Sequence, residues 1–297
     1  LDGVGLGSAE TEHNPFATAN LPTLERLLGA NWFVQGNGTI TGADASMVPT
    51  DANLGVEGRP QSASGQATIL TGRNVSEQIG GHFGPWPSKA IYENLSGGTI
   101  FDSVLAAGGR ATYLNPFPQG YFDAIERGKR SYSAIPYAAI QAGLPLLTEQ
   151  DLRNGDAVSP GFTNIGWRTQ LGIDDMPLMT PEEAGERLAQ VAQAHNFAFL
   201  EHWPTDYAGH RGPLINAVTN LELIDAVLAG LVDAWDMENG LLVITSDHGN
   251  IEEKQHGKHT RNPVPTILLG AGHAESAESI RDLTDIAPLI TRYLGIN

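Results

Sequence analysis

Cysteine is absent from this chain of 297 residues. Its absence excludes thiolate metal sites, disulfide frameworks and a cysteine nucleophile, and leaves both reducing and oxidising compartments open. Basic residues are scarce, with 17 lysines and arginines against 34 aspartates and glutamates and a formal net charge of −17. Nucleic acid and anionic membranes call for a basic surface, so neither is an expected partner. Continuous apolar runs are short, and none approaches the roughly 18 to 20 residues that span a bilayer. No secretory leader is visible. The cytoplasm is the expected compartment, but Leu1-Asp2 reads as the end of a strand whose upstream part is missing, so export stays open.

The apolar fraction of 41% is enough for a sizeable core, in one large α/β domain or two small ones. Strand-length apolar runs alternate with segments of helical period. Helices are expected over Thr99–Ala107, Pro181–Ala194, Ala217–Trp235 and Ser279–Leu294, and strands over Arg110–Leu114, Phe197–Glu201, Leu241–Thr245 and Pro265–Leu269. Pro181-Glu182-Glu183 places proline and acids where a first turn wants them. Leu241–Thr245 is apolar throughout, the pattern of a strand buried on both faces. The alternation implies an α/β fold, a three-layer sandwich with a mostly parallel central sheet and helices on both faces, all within one domain over 1–297. From 113 to 180 prolines, glycines and aromatics break the rhythm, and this stretch reads as a small lid or cap insertion, or else as extra helices on the sheet edge.

Asp2, Asp206 and Asp247 each lie at or just after the end of an expected strand, the sheet edge where α/β proteins bind ligands. His210 follows Asp206 by four residues, so a single helical turn or a tight loop would let both reach one ion. His248 adjoins Asp247, and His259 follows in His259-Thr260-Arg261-Asn262-Pro263-Val264-Pro265. Carboxylate and imidazole together suit divalent transition metals. Ser62 opens a segment that reads as a helix with serine as its N-cap and Gly72 just past its end. A helix N-terminus favours bound phosphate, and a serine hydroxyl touching a divalent cation ionises readily into a nucleophile.

Five motifs in order resemble the alkaline phosphatase superfamily, above all its cofactor-independent phosphoglycerate mutase branch: Asp2-Gly3-Val4-Gly5, the Ser62 helix ending at Thr71-Gly72, Asp206-x-x-x-His210, Asp247-His248-Gly249-Asn250, and His259-Thr260-x-Asn262-Pro263-Val264-Pro265. The resemblance spans the chain except for about 113–180. It implies one metal on Asp206, His210 and His259, and a second on Asp2, Asp247, His248 and the Ser62 oxygen. Ser62 would form a phosphoserine between two cations roughly 3.5 to 4 Å apart. Zinc or manganese is expected, with magnesium also compatible.

Two departures shape the expected activity. The mutases carry a large inserted domain whose arginines hold glycerate, and here the insertion is short, which favours hydrolysis of a small phosphomonoester over return of the phosphoryl group. A sulfatase needs arginine four residues after its modified nucleophile, where this chain has Gln66. A phosphomutase, a phosphodiesterase and a non-catalytic metal-binding protein are the alternatives. Arg73, Arg211, Lys258 and Arg261 are candidates to grip phosphate or to serve the surface, and His256 competes with His259 as a ligand. His82 suits a substrate entrance or a turn, His202 a place beside Asp206, and Trp86 packing. Gly3-Val4-Gly5-Leu6-Gly7-Ser8 fails as a dinucleotide fingerprint because Ser8 stands where the third glycine belongs.

Overall fold

Helix and strand signals are strongest where capping chemistry and apolar period agree. A computed structural model describes residues 1–296. The helix Pro181–Gln193 begins as expected, with Thr180 accepting from the Glu183 amide and Glu183 returning a bond to Thr180 in a capping box. Ile100–Ala106 is capped the same way by Thr99 and Asp102. The strands are β1 (Ile40–Thr41), β2 (Ala45–Thr50), β3 (Ala111–Tyr113), β4 (Pro116–Phe117), β5 (Leu147–Thr148), β6 (Phe197–Phe199), β7 (Leu241–Ile244) and β8 (Val264–Gly270).

The fold is α/β, but its strands run differently from the expected central sheet. The largest sheet has the order β1-β2-β8-β7 and every pairing in it is antiparallel. Among the named strands, parallel pairing joins β3 with β6 and β4 with β5, and isolated parallel bridges join Gly7 with Val34 and Asp51 with Asp282. The expectation rested on the alternation of strands and helices, and helices can cover both sides of a sheet whatever its strand direction. Met47, Ile267 and Leu269 face a core with Leu24, Leu221, Leu228 and Leu231. Val48 and Leu268, one residue along, face Ala277, Ile280 and Leu289 on the opposite side. β8 is accordingly buried at every position.

The helix Leu214–Ala234 is long and apolar enough to cross a membrane by length and composition. Here it is a core helix, and its buried Asp225 accepts the Thr23 and Leu24 amides at 2.9 and 2.8 Å, capping the helix Pro22–Leu28. The expected closing helix over Ser279–Leu294 is divided. A helix ends at Glu278, Asp282 caps a short turn, and the last helix is Ile286–Tyr293. In the stretch 113–180, the helix Ala134–Gln141 contributes Ala134, Ile135 and Ala138 to a core shared with Ala63, Ala67 and Leu70 of the Ser62 helix.

Pro181–Gln193 and Leu214–Ala234 pack closely because glycine faces backbone at both ends of the crossing. A methyl on Gly185 would overlap the Val227 carbonyl, and one on Gly230 the Glu182 carbonyl. Gly185→Ala is expected to destabilise the fold by about 1 to 3 kcal/mol, as overpacking does. A denaturant midpoint unchanged from the parent would contradict this account of the crossing.

Candidate metal centre

Local structure delivers each candidate residue. Pro204–His210 is a single helix with proline in its first turn, and it sets Asp206 and His210 one turn apart, with His210 Nε2 3.3 Å from Asp206 Oδ2. Ser62 is the first residue of the helix Ser62–Thr71, whose N-cap is Gln61 rather than Ser62 as expected. The difference matters, because a capping hydroxyl is spent on its own helix. The Ser62 hydroxyl instead lies 3.0 Å from His248 Nε2. Gly72 ends the helix in the left-handed conformation, as expected. Gly3 also has positive φ, and a Cβ there would come within 2.7 Å of Asp206 Oδ1, so only glycine lets the Asp2 loop approach that carboxylate.

All seven expected residues converge. Asp206, His248 and His259 bring ligand atoms within 4.8 Å of one another, and so do Asp2, Asp247 and His248. His248 stands in both groups. His210 joins the first from its edge, with Nε2 3.1 Å from His259 Nε2. The three imidazoles share one arrangement. Each Nδ1 contacts a backbone carbonyl: Gly257 at 2.8 Å for His210, Gly249 at 3.3 Å for His248, and Pro60 at 2.8 Å for His259. That contact fixes the tautomer and leaves Nε2 as the coordinating atom, the arrangement typical of metal-binding histidine. The buried Asp2 Oδ1 and Asn250 Oδ1 have no hydrogen-bond partner. Acceptor atoms gathered without donors fit a cation, which supplies what they lack.

Electrostatics agree. Burial raises the Asp2 carboxyl well above the carboxylate range, and the neighbouring Asp247 and Asp206 charges push the same way. Burial lifts Asp247 to about 7. Burial also lowers His248 to about 3, with the nearby His259 charge acting in the same sense, so its ring is neutral. Burial alone would raise Asp206, yet its hydrogen bond with His259 and the surrounding imidazoles hold it at about 2. His259 is correspondingly raised, its interaction with Asp206 outweighing desolvation.

Sequence reasoning missed the residues that support this cluster. Glu252 is buried and accepts the Gly5 amide at 2.9 Å, the Asn250 amide at 2.8 Å, the Asn262 side chain at 3.1 Å and the Thr260 hydroxyl. Asn250 donates to Asp206 Oδ1 at 2.6 Å. Gln66 bridges Asp247 at 3.3 Å and Glu201 at 3.2 Å, and Glu201 accepts from the Tyr113 hydroxyl at 2.9 Å. Only their place beside the motifs hinted at such roles. Several weaker candidates have structural work instead. Arg73 holds the Asn94 and Gly98 carbonyls, His256 pairs with Glu253 at 3.0 Å, and His202 has both ring nitrogens engaged, by Pro160 and Asn220.

A pH dependence follows. Without metal, the folded state binds more protons than the unfolded chain at Asp247 between its ordinary carboxylate value and about 7, so its contribution to stability falls as pH rises through that window. A bound cation requires the deprotonated form and reverses the penalty. The rise in melting temperature produced by zinc or manganese over chelator-treated protein is expected to be larger at pH 8 than at pH 5. Thermal melts with and without chelator check this, and an equal or smaller rise at pH 8 would contradict it.

Residues 162–297 match the family model of the metalloenzyme superfamily, a span holding Asp206, His210, Asp247, His248 and His259. Over 132 residues the chain is 30% identical to 2,3-bisphosphoglycerate-independent phosphoglycerate mutase of Methylobacillus flagellatus, covering 41% of this chain and 26% of that protein. It is 32% identical over 136 residues to the protein of that name from Thermomicrobium roseum, with the same shares. The chain thus spans about a quarter of the length of the curated relatives it matches. Its fold is similar to that of the PH0037 protein from Pyrococcus horikoshii, with TM-score 0.55 and 14% identity over 100% of this chain and 96% of the other. It is similar also to that of alkaline phosphatase from the Antarctic bacterium TAB5, with TM-score 0.52 and 12% identity over the same shares. Over residues 162–297, which hold five of the seven gathered residues, the chain is thus similar to the metalloenzyme superfamily, and its fold is similar to that of an alkaline phosphatase.

Proposed function

We propose that this protein is a metal-dependent phosphohydrolase acting on small phosphomonoesters through a phosphoserine at Ser62. The observation that carries the reading is the Ser62 hydroxyl, free of any capping role and 3.0 Å from His248 Nε2 at the meeting of the two ligand groups. Asp206, His210 and His259 would hold one divalent cation, and Asp2, Asp247, His248 and the Ser62 oxygen a second, with zinc or manganese suited to the mixed ligands. Such ions stabilise the attacking and leaving oxygens of an in-line displacement.

The chain's own residues do the rest. The Ser62 and Ala63 amides at the helix start have no acceptor among the described residues, which supports a role for them in receiving phosphate oxygens. Ser62 Oγ bonds to phosphorus, and the ester oxygen leaves as an alcohol carrying the proton that Ser62 gave up. Water then cleaves the phosphoserine, releasing phosphate and restoring the hydroxyl. A second reading, a phosphomutase that passes the phosphoryl group to another hydroxyl, is favoured by the relatives, which are named phosphoglycerate mutases. The short segment 113–180 supports hydrolysis, since it leaves little chain to hold a released alcohol while the phosphoserine persists.

Phosphate release from a panel of phosphomonoesters including 3-phosphoglycerate, with zinc or manganese restored to chelator-stripped protein, separates the two. Free phosphate is expected, and conversion to 2-phosphoglycerate without it would establish the mutase. Ser62→Ala is expected to reduce turnover by about 10³-fold or more while keeping the circular dichroism spectrum, as loss of a nucleophile does. Acid quench with ³²P-labelled substrate should trap label on the parent and none on the variant. Undiminished turnover in Ser62→Ala would remove the covalent mechanism.

A further inference from the structure

An open pocket of about 480 Å³ adjoins the start of the Ser62 helix, and the chemistry described so far gives it no role. Glu57, Arg59, Gln61, His82, Phe83 and Gly84 line it. Its walls are tied to the reacting centre. Gln61 is the N-cap of the Ser62 helix, and Pro60, just before it, places its carbonyl 2.8 Å from His259 Nδ1. Phe83 fastens the stretch from 81 to 84 to the same helix, donating its amide to Ser64 Oγ at 3.1 Å and accepting the Ser64 amide at 3.0 Å. A Cβ at Gly84 would come within 3.1 Å of the Ser62 amide and 3.3 Å of the Ala63 amide, so the bare glycine keeps the pocket open to both. A phosphoryl group bound at those amides would have the pocket beside it as a seat for its ester substituent.

The lining sets the chemistry of that substituent. Phe83, 45% exposed, is the one large apolar side chain in it, so a bulky hydrocarbon would find little to bury against. Glu57 and Arg59 bring opposite charges, and neither makes an ion pair among the described residues. With 34 acidic residues against 17 basic ones, an arginine left without an acidic partner at a pocket is conspicuous. A purely anionic occupant would meet Arg59 and be opposed by Glu57, and a purely cationic one would meet the reverse. An occupant carrying both charges satisfies both. We propose that the pocket recognises a zwitterionic alcohol, so that the substrate is a small O-phospho-α-amino acid such as O-phosphoserine. Its carboxylate lies at the Arg59 guanidinium, whose fork suits a carboxylate, and its ammonium lies at Glu57. This assignment rests on the reading of Ser62 as the nucleophile of a phosphohydrolase. The bond from phosphorus to the substrate's side-chain oxygen breaks as Ser62 Oγ bonds to phosphorus, and the amino acid leaves with the proton that Ser62 gave up. Water then releases phosphate, and the sum is O-phosphoserine plus water giving serine plus phosphate.

Two analogues isolate the two charges. 3-Phosphoglycerate has a hydroxyl where O-phosphoserine has its ammonium, and phosphoethanolamine lacks the carboxylate. Calorimetry on zinc-loaded Ser62→Ala, which has no hydroxyl to phosphorylate, reads binding apart from turnover. O-phosphoserine is expected to bind about tenfold more tightly than either analogue, as one charge-assisted contact should give. In that background Glu57→Gln should erase the advantage over 3-phosphoglycerate and keep the advantage over phosphoethanolamine. Arg59→Gln should do the converse. Both residues are exposed, so these exchanges leave the core untouched. In the zinc-loaded parent, kcat/KM for phosphate release should rank the three esters in the same way. Equal binding of the three, or advantages that do not follow the crossed pattern in the two variants, would overturn the assignment even if the parent released phosphate from every ester. Selective binding in the crossed pattern with no phosphate released by the parent would uphold the pocket's preference and remove the hydrolase reading instead.

Discussion

Glu252 is the constraint on which the site's geometry depends. A carboxylate buried among loops is costly unless its lone pairs are filled, and burial raises its pKa accordingly. Here they are filled by groups from three separate stretches: Gly5 beside Asp2, Asn250 beside Asp247 and His248, and Thr260 beside His259. Each partner lies within a few residues of a candidate ligand. Satisfying one side chain therefore fixes the spacing of three loops at once, and a loop that drifted would leave a charged acceptor unpaired in the interior.

The site was more legible in the sequence than the sheet. Asp206 and His210 at helical spacing, and the Asp247-His248 pair after an apolar strand, carry their chemistry in their order, and the fold brings all seven expected residues together. What the order could not show was second contacts. Nothing in Gln66 or Glu201 announces that they meet, because that bond spans 135 positions and depends on how two elements cross. Strand direction was hidden for a related reason. The burial pattern of β8 records helices on both faces, and that pattern is the same whichever way its neighbours run. The position of Ser62 shows the finer limit. A serine at the cap and a serine one residue inside the helix differ by a single step along the chain, yet only the second leaves its oxygen to meet His248.

The acidic surplus has a local counterpart at this centre. Asp2, Asp247 and Glu201 are all pushed upward by burial, and the Asp247 charge makes the other two harder still to ionise. Such a cluster stores repulsion when empty of positive charge and relieves it when cations enter. Destabilisation and affinity are thus two aspects of one arrangement. Carboxylates placed where they ionise reluctantly are also the ones that gain most from a cation.

The tethering of His210, His248 and His259 through Nδ1 bears on the order of assembly. Main-chain carbonyls from Gly257, Gly249 and Pro60 orient the rings, so their aim is set by the fold itself. A chain built this way need not wait for its ions in order to acquire its shape. The aim of the cluster is written into the main chain, so whatever occupies it meets rings already oriented.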